Sequence, residues 1–194
     1  MSELPEGWIA ANLSDVALLN MGQSPKGDAT NADGLGLPLI GGAADYKGSS
    51  LKSGRFTSVP TKVCTPGDLI LCIRATIGKI AVADQQYCLG RGVAGLTPVG
   101  INRAYLRYFI FSEADKIDQA GTGSTFRQVD KDTLSHWPIP VPPPPEQRRI
   151  VAKLDSLFER TRRAREELSH IPRLIENHKK AILEAAFRGD LTKD

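Results

Sequence analysis

The sequence predicts an α+β globular domain followed by a long C-terminal coiled-coil helix. Three observations carry that prediction. The first 142 residues break into short apolar runs separated by Gly, Pro, Asp and Asn, the punctuation of a domain built from short strands and a few helices. Pro142-Pro143-Pro144-Pro145 then interrupts the chain as a stiff, extended spacer. Beyond it, Ile150, Leu154, Leu157, Thr161, Ala164, Leu168, Ile171, Ile175, His178, Ile182 and Ala185 recur in alternating steps of four and three. That spacing holds side chains on one stripe of a slightly underwound helix, the condition for packing against another helix. The division expected is a domain at 1–142, a helix at 143–190 and a short tail at 191–194.

Taken in order, Leu4-Pro5-Glu6-Gly7-Trp8 opens with turn residues and one large aromatic that anchors the N-terminal segment. Residues 22–54 are dense in Gly, Ser, Asp and Asn and read as loop with short strands, such as 37–40. Thr65-Pro66-Gly67-Asp68 is a turn, and the apolar run 69–73 after it has the character of a buried strand. Arg74-Ala75-Thr76 leads into a second strand over 77–82, expected to pair with the first. Asn102 is a helix N-cap, and Leu106, Phe109, Ile110 and Ile117 mark a helix face broken only by Glu113. Residues 121–125 end that helix as a Gly/Thr/Ser loop, and 136–141 form a proline-bearing, edge-like strand. Pro145 suits a first helical turn, where its missing N–H costs nothing. Pro172 should kink or locally open the long helix, and Gly189 stops it. A continuous helix from the prolines to Gly189 would be roughly 65 Å long.

A chain of 194 residues, 41% apolar and 24% charged, can bury a core and has the composition of an ordinary globular protein. Its apolar runs are too short to span a bilayer, and no charged-then-apolar leader opens it. Cys64, Cys72 and Cys88 are odd in number and lack paired metal-ligand spacing, which favours buried thiols in a reducing cytoplasm. Charge is unevenly spread. Residues 46–112 carry nine basic side chains (Lys47, Lys52, Arg55, Lys62, Arg74, Lys79, Arg91, Arg103, Arg107) against two acidic ones (Asp68, Asp84). A basic middle in a nearly neutral domain suggests one face that meets a polyanion; chance clustering on a solvated surface is the equal alternative.

Motifs for catalysis are absent from the sequence. Gly90-Arg91-Gly92-Val93-Ala94-Gly95 matches a dinucleotide fingerprint in letters, but Pro98 follows where a helix should open, so a tight glycine turn is the better reading. There is no phosphate loop and no Asp/Asn-Pro-Pro-aromatic tetrapeptide for holding a target base. His136, His170 and His178 do not share a ligand-spaced helix face, so neither metal nor cofactor is expected. Two loops suit phosphate and base contact instead: Gly22-Gln23-Ser24-Pro25-Lys26 and Gly121-Thr122-Gly123-Ser124-Thr125-Phe126-Arg127-Gln128. Each combines free backbone N–H groups, hydroxyls, an amide and a cation. Either alone reads as a plain surface turn.

In this order and combination, Leu4-Pro5-Glu6-Gly7-Trp8, Gly22-Gln23-Ser24-Pro25, Gly67-Asp68-Leu69-Ile70, Ala75-Thr76-Ile77-Gly78-Lys79, the 121–125 loop, Ile139-Pro140-Val141-Pro142-Pro143 with Glu146-Gln147, Ile150-Val151, and Ala185-Ala186-Phe187-Arg188-Gly189-Asp190-Leu191 are informative. The chain resembles the DNA-specificity subunit of type I restriction–modification systems. The resemblance implies a target-recognition domain that reads a short stretch of double-stranded DNA. It also implies a long helix that binds methylation subunits, which carry S-adenosylmethionine and the chemistry. Whether a restriction subunit joins is left open. The usual subunit has two recognition domains and two helices; this chain has one of each, a half-subunit form, and its Met1 start favours a complete product over a piece. Expected DNA contacts are Gln23, Ser24, Lys26, Arg74, Lys79, Arg91, Thr122, Ser124, Thr125, Arg127 and Gln128. Expected helix contacts, with a second copy or a partner, are Ile150, Leu154, Leu157, Leu168, Ile171, Ile175 and Ile182. Phe158, Leu174, Leu183 and Phe187 lie off that seam and could serve a further contact. The rival expectation is a decoy that occupies methylation subunits without reading DNA.

Overall fold

In the computed structural model, which describes residues 4–123 and 127–191, the apolar run at 69–73 lies at the centre of the domain. The chain passes through β1 (Ile9–Asn12), α1 (Leu13–Val16), β2 (Ala17–Met21), β3 (Thr30–Asn31), β4 (Leu37–Ile40), β5 (Tyr46–Lys47), β6 (Ser50–Leu51), β7 (Phe56–Thr57) and β8 (Val63–Cys64). It continues through β9 (Leu69–Cys72), β10 (Ile80–Val82), β11 (Tyr87–Leu89), β12 (Val93–Pro98), α2 (Arg103–Ser112), α3 (Ala114–Ala120), α4 (Lys131–Ser135) and β13 (Pro138–Val141). Two helices follow, α5 (Pro144–Ser169) and α6 (Ile171–Phe187). The predicted α+β class with a long C-terminal helical segment is what is observed.

Two sheets dominate. One has the order β10-β9-β12-β2, antiparallel throughout; the other runs β3-β7-β4-β11-β8, with β11 parallel to β4. Because side chains alternate along a strand, β9 feeds two cores at once. Leu69, Leu71 and Ile73 pack on one face with Leu13, Val16, Leu96, Leu106, Ile110, Ile117 and Leu134, under the helices. Ile70 and Cys72 point the other way, with Val93 of the same sheet, to Ile40, Cys64, Tyr87 and Leu89 of the second sheet. Burial on both faces explains why 69–73 is continuously apolar rather than alternating.

Several sequence expectations are met with shifted edges. Asn102 caps α2, its side-chain oxygen accepting the N–H groups of Ala104 and Tyr105 at 2.9 and 3.1 Å. The helix after it divides at Glu113 into α2 and α3. The second strand is shorter than 77–82, starting at Ile80, because 74–78 form a tight turn. The proline spacer is also shorter than expected: Pro144 and Pro145 already lie in the first turn of α5. The long helix is two helices. At residue 172 proline has no N–H for the carbonyl four residues back, and the break falls at His170.

Residues through Val151 form one compact unit and those from Ala152 onward a second. Within the first, Gln147 ties the start of α5 to the domain. Its buried amide donates to the Pro142 carbonyl at 2.8 Å and accepts the Asn102 N–H at 2.7 Å. Ile150 and Val151 pack against the helix-side core. The second unit is a charged pair of helices whose apolar side chains are mostly exposed, Leu154 and Ala185 being half-buried. Among the described residues, no helix is long and apolar enough to cross a membrane.

Candidate nucleic-acid interface

The strand directions decide where the loops go. β2 and β9 finish, and β12 and β10 begin, at the same end of the antiparallel sheet, since Val93 opposes Cys72, Ala94 opposes Met21, and Ile80 opposes Leu71. Loops 22–26, 73–79 and 90–92 therefore emerge together. In the second sheet β4 and β11 finish at this end too, and the residues just before β7 and β8 meet them there. Leu39 N–H donates to the Arg55 carbonyl and Leu89 N–H to the Lys62 carbonyl, at 2.8 and 2.7 Å.

Loops 22–26 and 90–92 are locked by close backbone approach. Gly22 N–H donates to the Val93 carbonyl at 2.9 Å and Gln23 N–H to the Leu89 carbonyl at 2.8 Å. A Cβ on Gly22 would stand 2.1 Å from the Gly90 carbonyl oxygen, so only glycine fits there. The Ser24 hydroxyl accepts the Arg91 N–H at 3.2 Å, and the Thr61 hydroxyl donates to the Gln23 carbonyl. Gly90 and Val93 close the predicted glycine turn, with Val93 N–H on the Gly90 carbonyl at 3.1 Å.

A second group sits beside the first. Arg74 bridges Gln128 in antiparallel fashion, and Gln128 bridges Thr122, exchanging N–H···O bonds of 2.9 and 3.0 Å. Ala75 N–H donates to the Arg127 carbonyl at 3.1 Å, and the Arg127 guanidinium lies 3.4 Å from the Asp118 carboxylate. Ile73 joins the groups, its N–H on the Gly92 carbonyl and its own carbonyl accepting Val129 N–H. At the tip, Ala75 has φ +63, and Thr76 N–H reaches back to the Arg74 carbonyl at 2.8 Å. This is a γ-turn of the strained, positive-φ kind, held by the hydrogen bonds around it.

The structure thus brings Gln23, Ser24, Arg74, Lys79, Arg91, Thr122, Arg127 and Gln128 to one end of the sheets. Lys26 stands slightly apart, leading into the short 3-10 turn Gly27–Ala29. Ser124 and Thr125 lie outside the described residues. Arg55 and Lys62 share this end of the domain; sequence counted them in the basic middle but not among the expected DNA contacts. Their motifs are silent, and only the pairing of β7 with β4 and β8 with β11 carries them there. Of the helix positions, Ile150 serves the domain's own core. Leu154 is half-buried, whereas Leu157, Leu168, Ile171, Ile175 and Ile182 are exposed. All three cysteines are buried and unbridged, and burial pushes the Cys64 thiol up to about 11. No cluster of three or more metal-type ligands occurs among the described residues.

A mixed domain whose loops gather hydroxyls, amides and cations at one end, followed by an amphipathic helical segment, is the layout that the resemblance to DNA-specificity subunits implies. Residues 5–173 match the type I restriction modification DNA specificity domain, and the chain belongs to that family. It is similar to the HsdS subunit from Thermoanaerobacter tengcongensis, with TM-score 0.82 and 34% identity, covering 97% of this chain and 47% of that one. It is also similar to a chain from a structure on complex assembly and conformational transition of the type I R-M system (TM-score 0.86, 35% identity, 97% and 48% covered). The type I restriction enzyme EcoDI specificity subunit of Escherichia coli is 27% identical over 193 residues, 99% of this chain and 40% of the relative. The chain spans about half the length of the relatives it matches.

Proposed function

We propose that this chain is a non-catalytic reader of double-stranded DNA. Domain 1–142 recognises a short sequence, and the helical segment 143–190 pairs with a second copy and recruits methylation subunits that hold S-adenosylmethionine. The observation that carries this reading is the gathering of loops 22–26, 74–79 and 90–92 with Thr122, Arg127 and Gln128 at one end of the antiparallel sheet. Backbone N–H groups, hydroxyls and amides positioned among Arg74, Lys79, Arg91 and Arg127 are the groups that hold phosphates and read base edges. Rigid strands beneath them set the register.

Pairing is supported by the helix seam. Leu157, Leu168, Ile171, Ile175 and Ile182 are 43–60% exposed, a stripe that a single chain leaves in water. Each such side chain contributes roughly 1.5–3 kcal/mol when fully buried, and a second copy is the simplest surface to bury it. A two-fold pair reads a symmetric, split site. The test is co-purification with a type I methylation subunit followed by methylome sequencing of cells expressing both. A two-part, two-fold-symmetric methylated motif is expected. Stable co-purification without any methylated motif would favour the decoy reading, in which the chain occupies the methylation subunit and reads nothing.

A further inference from the structure

Beside the loops described above is a support that no sequence motif announces. Asp45 is buried, and its Oδ2 accepts the N–H groups of Gly41 and Gly42 at 2.7 and 3.2 Å. The same oxygen lies 3.9 Å from Nη2 of Arg55. Gly41 is packed from both sides. A Cβ on Gly41 would stand 2.2 Å from Arg55 Nη2, and a Cβ on Gly92 would stand 2.3 Å from the Gly41 carbonyl oxygen. The Arg55 guanidinium, the Gly41 backbone and the turn that carries Arg91 are therefore stacked with no room for a side chain between them.

The backbone of Arg55 is equally constrained. Its N–H donates to the Ser53 hydroxyl at 3.0 Å, its carbonyl accepts Leu39 N–H at 2.8 Å, and Ser53 Oγ donates to the Leu39 carbonyl at 2.6 Å. Yet 58% of the Arg55 side chain is open to solvent. A separation of 3.9 Å is too long for a hydrogen bond, so Asp45 attracts the guanidinium without using up its donors. An arginine fixed at its backbone and drawn at its head toward a buried carboxylate has less ordering cost left to meet when a partner arrives.

We propose that Arg55 is a specificity-determining residue that grips a guanine edge in the major groove, and that Asp45 is the positioning residue that aims it. Arginine makes this contact through two parallel donors to O6 and N7, and lysine, a point charge, cannot reproduce the fork. The inference rests on the DNA-reading proposal above and extends it to residues outside its candidate set.

The test uses the full chain assembled with its methylation subunit. A randomised duplex library gives the sequence enriched by the wild type, and a panel of duplexes changed at one base pair each then gives the preference at every position. Arg55→Lys should cut the preference at one G·C pair roughly tenfold or more while leaving the salt dependence of binding unchanged. Asp45→Asn, which retains an acceptor for Gly41 and Gly42, should weaken the preference at that same pair severalfold. If Arg55→Lys enriches and discriminates as the wild type does, or loses affinity equally for all duplexes, the assignment falls while the DNA-reading proposal stands. If the wild type itself enriches nothing, both fall together. Should Asp45→Asn melt below the assay temperature, Arg55→Lys alone decides.

Discussion

At the scale of single residues, Ala75 is where the backbone carries local strain. Its φ of +63 is one an L-residue adopts at a cost of about 1–2 kcal/mol, and glycine adopts it freely. Ala75→Gly, after allowing for glycine's larger unfolded-state entropy, should stabilise the fold by about 0.5–1 kcal/mol and raise the melting temperature by about 2 °C. It should also loosen the tip between Arg74 and Thr76 and weaken binding to a specific duplex. Thermal melts paired with duplex titrations check both halves, and a variant equal to wild type in both would show that the strain has no use. The cysteines lend themselves to a simpler measurement. Burial raises the thiols of Cys64 and Cys72, so a thiol reagent near pH 8 should meet neither exposure nor thiolate. Reaction should be slow in the folded protein and give three equivalents on unfolding. The residue types suited to DNA contact were visible in the sequence. The pairing of Asp45 with Arg55 was not, because the two are joined through a glycine whose role is only to be small.

At the scale of elements, the capped start of α2 and the first turn of α5 form one joint. Gln147→Ala removes a buried amide and strands the Asn102 N–H and the Pro142 carbonyl, which should cost about 2–3 kcal/mol. Urea unfolding of the variant measures this; a change below about 0.5 kcal/mol would mean water replaces the amide without loss. The seam has its own test. Leu157→Asp with Ile175→Asp places two charges on the exposed stripe without touching the domain core, and light scattering should then report a monomer where the wild type is a dimer. A wild type that is itself monomeric, with DNA and partner present, would remove homodimerisation. The helical extension, the Asn102 cap, the Pro172 break and the 69–73 strand were all legible, since each is a local signal of spacing or capping. β12 was not. Gly95 and Pro98 lower its strand character, yet Gly95 lets the Leu89 side chain pack closely, since a Cβ there would come within 2.9 Å of Leu89 Cδ1.

At the scale of the whole molecule, the chain is expected to act only in an assembly. Purified alone it should bind no S-adenosylmethionine and incorporate no tritiated methyl group into DNA, with incorporation appearing when a methylation subunit is added. Transfer by the chain alone above a no-protein control would end the specificity-subunit reading. For the assembled protein, the salt dependence of duplex binding counts phosphate contacts, with a slope change of about 0.9 for each one lost. Arg74→Ala and Lys79→Ala should each lower that slope and weaken all duplexes alike. Arg127→Ala, beside the bridging Gln128, should instead reduce preference at particular base pairs. Unchanged slope and preference in the triple variant would make the basic end of the sheets ornamental and move the decoy reading ahead.

The α+β class, the helical extension and the absence of a catalytic motif were determined by sequence alone, because periodicity, proline placement and motif letters are properties of neighbours in the chain. Which loops share a surface was decided only by the tertiary structure. Residues 22–26, 53–55, 62, 74–79, 90–92, 122 and 127–128 converge because antiparallel and parallel pairings set the strand ends side by side, and pairing partners lie tens of residues apart. Register is fixed by burial of β9 on both faces, and a shift of one residue would exchange its two cores. For that reason a residue such as Arg55, outside the DNA contacts expected from sequence, shares one end of the sheets with the turn that carries Arg91.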